Sequence, residues 1–184
     1  MFIAQNSGTA LIGAVLAARC SDAEPLFAGL VASMLRQGVR LGGVQQINVR
    51  RDGYCRCDMK LKDLSNGEIV CISEDRGPEA RGCRLDWNAL AEATERVVRS
   101  IRAGVDLVVI NKFGKAESEG AGMRDAIALA LEHEIPVLIC ANTEHHANLL
   151  AFTGDLAVTL TLSRPDIETW LDAVLAARCT DAAA

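Results

Sequence analysis

Two lysines and an amide follow the most apolar short segment of the chain. Residues 107–110 are four consecutive apolar residues, three of them β-branched, a composition typical of a central strand covered on both faces. Asn111, Lys112 and Lys115 come directly afterwards. Ligands bind at the carboxyl ends of strands in open α/β sheets, and the ammonium groups would attract an anion there. Two solvated lysines in a surface loop are the alternative.

A second group of cations lies in the loop over residues 74–84. Arg76, Arg81 and Arg84 are interspersed with two glycines and a proline. Arginine presents planar, forked N–H donors that suit a tetrahedral oxyanion. The loop is therefore a candidate cradle for a phosphate-like group, and the alternative is a surface loop whose arginines pair with neighbouring carboxylates.

Seven cysteines are scattered along the chain. Their odd number and irregular spacing indicate reduced thiols and a cytoplasmic protein. Cys55 and Cys57 share one side of a predicted strand. A structural zinc site needs four ligands, and Cys83, Cys20 or the pair His145 and His146 could complete one. Cys57 and Cys83 are the candidate metal ligands. Inert thiols that pack as small apolar groups are the alternative.

The first β–α junction lacks the residues of a nucleoside triphosphate site. Such a site requires a Gly-rich loop that ends in Gly-Lys-Ser or Gly-Lys-Thr, whereas residues 17–25, AARCSDAEP, contain neither glycine nor lysine. Asp22 and Glu24 would lie at the helix N-terminus and repel a phosphate. We therefore expect no intact phosphate loop at this junction.

The end of the central strand also lacks a magnesium ligand. Nucleotide hydrolases use a carboxylate at such a strand end, and here Asn111 and Lys112 occupy that place. Neither an amide nor a cation replaces a carboxylate in holding Mg²⁺. A divergent hydrolase that takes magnesium through Asp58 or Glu117 stays open as an alternative.

The elements that position these residues alternate between strand and helix. Strands are predicted over 11–16, 39–49 (interrupted at Gly42 and Gly43), 107–110, 136–140 and 156–160. Helices are predicted over 22–37, 87–103, 123–134 and 164–177, and residues 141–154 are predicted to hold a polar loop and a helix. Residues 57–64 and 68–73 flank an Asn-Gly turn and predict an inserted antiparallel hairpin. Ser21 with Glu24 predicts a capping box for the first helix, and Asp86 predicts the N-cap of the helix that begins at Trp87. The alternation predicts a three-layer α/β domain with a mostly parallel sheet.

Length and charge restrict the functional classes. A chain of 184 residues, half of them hydrophobic, buries one core, which we expect over residues 11–178, with 1–10 as a flexible leader and 179–184 as a tail. A net charge of -5, a pI near 5.2 and 4% aromatic residues disfavour a nucleic-acid partner. The apolar run over residues 10–18 is too short to cross a bilayer, so we expect no membrane role. An anionic small molecule is the expected partner, and a homodimer stays open.

Four segments resemble an uncharacterised bacterial family defined only by a domain of unknown function. They are residues 56–64 (RCDMKLKDL), 66–68 (NGE), 72–86 (ISEDRGPEARGCRLD) and 106–117 (DLVVINKFGKAE). Genes of that family often lie near molybdate-transport genes. The resemblance covers roughly residues 11–160 and implies molybdenum or another oxyanion as the ligand.

The order of strands, hairpin and helices along the chain is also similar to that of the THEP-type nucleoside triphosphatases of the P-loop class. In that family a hairpin follows the second strand, and a later strand ends in an Asp-Glu-Ile-Gly-Lys-type run, of which Gly114 and Lys115 are matched here. The resemblance implies a P-loop-NTPase-like fold, and the departure over residues 17–25 implies a degenerate phosphate loop.

These observations together predict an anion-binding protein without intact hydrolytic machinery. Its ligand would be a nucleotide-like phosphate or a molybdate-type oxyanion, and a link to molybdenum handling would follow. The predicted ligand-binding residues are Arg76, Arg81, Arg84, Asn111, Lys112 and Lys115. A divergent nucleoside triphosphatase or nucleotide-dependent transferase is the first alternative, and a metal-binding or thiol-based binding protein is the second.

Overall fold

The structure, a computed structural model, describes residues 10–49, 58–74 and 85–181, without the side chains of residues 155 and 179–181. Within these ranges strands alternate with helices, as predicted. The strands are β1 (Ile12–Ala17), β2 (Leu41–Val49), β3 (Asp58–Asp63), β4 (Ile69–Cys71), β5 (Leu107–Phe113), β6 (Val137–Asn142) and β7 (Ala157–Leu160). The helices are α1 (Cys20–Arg36), α2 (Trp87–Ala103), α3 (Lys115–Ser118), α4 (Arg124–Glu132), α5 (His146–Thr153) and α6 (Arg164–Asp181).

The described strands form one seven-stranded sheet in the order β4-β3-β2-β5-β6-β1-β7. The pairs β2–β5, β5–β6, β6–β1 and β1–β7 are parallel, and the β3–β4 hairpin joins β2 antiparallel at one end of the sheet. The predicted mostly parallel sheet with an inserted antiparallel hairpin is confirmed. Each parallel connection is long enough to carry a helix across a face of the sheet.

Two apolar cores cover the two faces of the sheet. Along β5, Leu107 and Val109 belong to a core with α1 and α6, while Val108 and Ile110 belong to a core with α2 and α4. We call these sides the α1 face and the α2 face. All four side chains are at most 1% exposed, which explains why the segment is uniformly apolar and not alternating. The three-layer architecture follows from this double burial.

The first helix begins differently from the prediction. It starts at Cys20, its N-cap is Arg19, and no side chain at the N-cap accepts a bond from the first turn. Ser21 therefore is not the cap, and the predicted capping box is wrong. The amide oxygen of Asn142, at the end of β6, accepts the Cys20 N–H at 2.8 Å instead. A residue distant in sequence supplies the cap that local spacing assigned to Ser21.

Other boundaries agree or differ by small amounts. Asp86 caps α2 as predicted, because its carboxylate accepts the backbone N–H groups of Asn88 and Ala89, each at 3.0 Å. Strand β2 runs through both glycines without interruption, and β5 continues three residues beyond the predicted Ile110. The last helix reaches Asp181 instead of ending near residue 177. No helix in the described ranges is both long and apolar enough to cross a membrane.

Candidate functional site

The carboxyl ends of β1, β6 and β5 lie side by side at one edge of the sheet. Ala17 is paired with Asn142 across β1 and β6, and Asn111 is paired with Cys140 across β5 and β6. Only two residues, Ala18 and Arg19, separate β1 from α1. The N-terminus of α1 therefore lies directly at this edge, and side chains from three strands meet it.

A β-bulge in β5 sets the direction of the predicted Lys112. Asn111 pairs with Cys140 and Phe113 pairs with Ala141, so Lys112 is an extra residue between two paired ones. Bulges redirect side chains at the ends of strands. Here the bulge sends Phe113 into the core of the α2 face and leaves Lys112 at the edge of the sheet.

Asn111 is buried with an unpaired donor. By the two-residue period of the strand, its side chain lies on the α1 face with Leu107 and Val109. It is 1% exposed, and its Nδ2 has no hydrogen-bond partner. A buried donor without an acceptor costs about 1–3 kcal/mol. The position therefore suits an acceptor that a ligand supplies.

These side chains line a cleft of about 270 Å³ between α1 and the ends of β2, β5 and β6, which we call the α1 cleft. Its described lining consists of Arg19, Cys20, Ser21, Glu24, Gln46, Asn48, Met59, Asn111, Lys112 and Asn142. Two of these residues are cationic, Arg19 and Lys112, and one is anionic, Glu24. The described lining therefore carries a small excess of positive charge in a chain that is acidic as a whole.

Both carboxylates near the start of α1 have partners. The Asn48 amide donates to Glu24 Oε1 at 2.8 Å, and its own oxygen accepts from Gln46 Nε2 at 2.9 Å. Asp22 lies 3.4 Å from Arg19. These contacts reduce the repulsion that the carboxylates would exert on an anion at the cleft.

Cys20 lies in the first turn of α1 and lines the cleft. The pKa of its thiol is lowered chiefly by hydrogen bonding from the Cys140 thiol; the Lys112 charge also lowers it, while burial acts in the opposite direction. The same contact raises the pKa of the buried Cys140 thiol. If one of the two thiols ionises, the negative charge is on Cys20.

Lys115 and Glu117, which follow β5, do not line the α1 cleft but line a neighbouring pocket. Lys115 is exposed and forms an ion pair with Glu119 at 3.6 Å. Glu117 is 5% exposed, and its carboxylate accepts the backbone N–H groups of Gly114 at 2.8 Å and Met123 at 3.1 Å. Both of its oxygens therefore hold the turn around α3, which is a structural use of the carboxylate.

Several predicted residues lie outside the described residues. These are Arg76, Arg81 and Arg84 of the loop, and Cys57 and Cys83 of the metal hypothesis. Within residues 10–49, 58–74 and 85–181, no three His, Cys, Asp or Glu side chains are arranged to hold a metal ion. His145 contacts Ser118 Oγ at 3.1 Å through Nδ1.

Sequence reasoning missed several polar residues of the cleft, among them Arg19, Cys20, Gln46 and Asn142. Asn142 ends an apolar strand just as Asn111 does, and that parallel was available in the sequence. Arg19 and Cys20 belong to the junction that we considered only for its missing phosphate loop. Gln46 lies in a segment with no signal beyond its strand pattern, and only the fold brings it to the edge.

Comparisons with known proteins agree with this architecture. A family model described as "Protein of unknown function (DUF2478)" matches residues 12–170. A protein named "Molybdenum import ATP-binding protein ModC 2", from Bradyrhizobium diazoefficiens, is 36% identical over 159 residues; the match covers 86% of this chain but only 18% of that protein.

A solved structure, THEP1 from the hyperthermophile Aquifex aeolicus, shares the fold. The TM-score is 0.55 at 16% sequence identity, and the match covers 88% of this chain and 94% of that chain. The predicted similarity to the THEP type and the P-loop-NTPase-like fold are thereby confirmed.

Proposed function

The chain belongs to the family described as "Protein of unknown function (DUF2478)", and on that premise we propose that it binds a small anion in the α1 cleft without hydrolysing it. The ligand is a nucleotide-like phosphate or a molybdate-type oxyanion. Asn111 and Lys112 bind it, and Arg19 contributes a second positive charge. The expected partner is a small molecule and not a nucleic acid.

The observation that carries this proposal is the unpaired Nδ2 of Asn111 beside Lys112. Asn111 Nδ2 is a buried donor without an acceptor, and Lys112 lines the same cleft. An oxyanion would supply both an acceptor oxygen for the amide and a negative charge for the ammonium group. Hydrogen bonds to charged acceptors are about twice as strong as those between neutral groups. The ligand would satisfy the donor that the protein itself leaves unpaired.

The proposed link to molybdenum has one line of support. The relative that matches 86% of this chain bears the name "Molybdenum import ATP-binding protein ModC 2", and the match covers 18% of that protein. Because the name mentions both molybdenum and ATP, it supports a role in molybdenum handling but does not choose between the two ligand classes.

The proposal that the ligand is not hydrolysed rests on the residues at the ends of β1 and β5. A two-residue junction precedes α1, where a phosphate-wrapping loop would need eight residues in its usual form. At the end of β5, Asn111 and Lys112 stand where a hydrolase places a carboxylate for magnesium, and Glu117 is occupied by backbone donors. We propose that the protein binds the anion and does not hydrolyse it.

The test is a thermal-shift and calorimetric titration with molybdate, tungstate, sulfate, phosphate, ADP, ATP and GTP, each with and without Mg²⁺. A ligand that binds only the folded chain stabilises it by about 2.7 kcal/mol at 100 times its Kd. Lys112→Ala is expected to weaken binding at least tenfold. Lys62→Ala, which removes a lysine of β3 that does not line the cleft, is the matched control and should change the Kd less than twofold.

The arginine loop belongs to the same proposal and has its own variant. Arg81→Ala is expected to weaken oxyanion binding if Arg76, Arg81 and Arg84 reach the ligand. Unchanged binding in Arg81→Ala would restrict the site to the α1 cleft. Unchanged binding in Lys112→Ala would overturn the proposal, and magnesium-dependent phosphate release from ATP or GTP would favour the hydrolase alternative.

A further inference from the structure

The α1 cleft shares part of its wall with a second pocket of different chemistry. Gln46, Met59 and Lys112 line both cavities. The second pocket has a volume of about 150 Å³ and lies between β2, β3, the first turn of α2 and α3. Its remaining described walls are mostly apolar and include Val44, Leu61, Ile72, Leu90 and Met123, while Lys115 and Glu117 line it on the α3 side. We call it the apolar pocket.

The size of the apolar pocket corresponds to one ring. Protein interiors are packed as densely as organic crystals, with few voids larger than a water molecule. An apolar cavity of about 150 Å³ binds benzene and stays dry without it. A space of this size with mostly apolar walls therefore suits a single aromatic or heteroaromatic ring.

Lys112 contributes to the walls of both cavities. The end of its stem passes Gly114, where a Cβ would lie 3.4 Å from Lys112 Cε, and Gly114 lines the apolar pocket. Lys112 also lines the α1 cleft, together with Cys20. Long cationic side chains commonly cover apolar surface with the stem while the charged end contacts polar groups.

We infer that the ligand of the α1 cleft is an anion carrying a ring-sized apolar group, of the aryl or heteroaryl phosphate class. The anionic group binds Asn111 and Lys112, and the ring enters the apolar pocket past Gln46 and Met59. This inference rests on the proposed anion binding and narrows its substrate class. A bare tetrahedral oxyanion would occupy only one half of the combined site.

The experiment compares three probes by isothermal titration calorimetry: phenyl phosphate, inorganic phosphate and molybdate. We expect phenyl phosphate to bind at least about tenfold more tightly than inorganic phosphate, because burying a ring removes apolar surface from water. Leu61→Phe fills the apolar pocket and should abolish this preference while leaving the Kd of inorganic phosphate unchanged. Leu90→Phe, from the opposite wall, is the second variant in case the first does not fold.

The outcomes separate this inference from the proposed function. If inorganic phosphate or molybdate binds and depends on Lys112, but phenyl phosphate binds no more tightly than phosphate, the ring-binding inference is wrong and anion binding stands. The same holds if both filled variants keep the phenyl phosphate preference. If none of the three probes binds, both the inference and this anion site are overturned.

Discussion

Glu117 shows how a single buried residue fixes the loop after β5. Its carboxylate accepts two backbone N–H groups, from Gly114 and Met123, and Gly122 approaches it so closely that a Cβ there would lie 2.1 Å from Oε1. No lysine or metal is needed to explain why a carboxylate is buried at this position. Its role is to hold α3 against the end of β5.

Glu117→Gln should therefore destabilise the fold. The amide keeps one acceptor oxygen but places an NH₂ group against a backbone N–H, which leaves buried donors unpaired. We expect a loss of about 1–3 kcal/mol in the free energy of unfolding, measured by urea denaturation. Glu119→Gln, an exposed carboxylate two residues away, is the control and should change stability by less than about 0.5 kcal/mol. Equal losses would contradict the structural role of Glu117.

The thiols of Cys20 and Cys140 allow a prediction about pH. The Cys140 thiol is the largest cause of the lowered pKa of Cys20, so Cys140→Ala should raise that pKa toward the value of an ordinary cysteine. The pH at which alkylation of Cys20 reaches half its maximal rate would then move upward. Mass spectrometry of the Cys20 peptide after iodoacetamide labelling measures the shift.

Cys71 is the internal control for this measurement. It is exposed on β4, outside the residues that line the α1 cleft, so its alkylation profile should be the same in both proteins. A Cys20 profile that does not move in Cys140→Ala would show that the neighbouring thiol does not set the reactivity of Cys20.

At the residue scale, the types of the site residues could be predicted from the sequence but their directions could not. Asn111 and Lys112 were identifiable because they follow an apolar strand. That Asn111 is buried and unpaired while Lys112 stands at the edge depends on the bulge between Asn111 and Phe113, and strand pairing with β6 creates that bulge. No pattern local to residues 107–115 contains this information.

At the scale of elements, β2 depends on Gly43. This residue has a φ of +98°, and a Cβ there would lie 2.1 Å from the carbonyl oxygen of Val109 on β5. The glycine therefore lets β2 and β5 approach at the centre of the sheet. The two-glycine segment seemed to interrupt the strand, yet it is what allows the strand to continue.

Two glycine variants separate backbone conformation from crowding. Gly67, in the hairpin turn, has a φ of +80° and open space around it, so Gly67→Ala should cost about 1–2 kcal/mol, the usual penalty of a left-handed conformation. Gly43→Ala should cost several kcal/mol more, because backbone atoms of β5 must move. Urea denaturation of both variants measures the difference, and similar losses would contradict the close approach of β2 and β5.

Helix starts divide into predictable and unpredictable cases for a physical reason. Asp86 caps α2 with its own side chain, which accepts the N–H groups of Asn88 and Ala89. Because the cap is two and three residues away in sequence, the helix start could be predicted from local spacing. The cap of α1 comes from Asn142, which is far along the chain. Local motifs predict local caps, and a cap supplied by another strand becomes visible only when the sheet order is known.

At the scale of the whole molecule, Trp170 ties α6 to β1. Its ring packs so tightly on Gly13 that a Cβ there would lie 2.9 Å from ring carbons, and its indole N–H donates to the Ala10 carbonyl at 2.9 Å. It is 5% exposed. This contact closes the α1 face at the β7 end of the sheet.

Trp170→Ala should therefore lower the free energy of unfolding by about 3–5 kcal/mol, the usual cost of emptying a large aromatic site. The other tryptophan of the chain, Trp87, is 50% exposed, and Trp87→Ala should cost less than about 1 kcal/mol. Far-UV circular dichroism in urea measures both. A larger loss in Trp87→Ala than in Trp170→Ala would contradict the packing described for α6.

The position of β1 has a consequence for how the protein is made. β1 is the first described strand, yet its two neighbours in the sheet are β6 and β7, and Ile12 pairs with Val137 on one side and Ala157 on the other. At synthesis rates of about 5–20 residues per second, β1 waits roughly 7 to 30 seconds for both partners. During that interval an apolar strand with two open edges leaves the ribosome, so nascent chains that pause before Val137 should be the form most prone to aggregate and most dependent on chaperones.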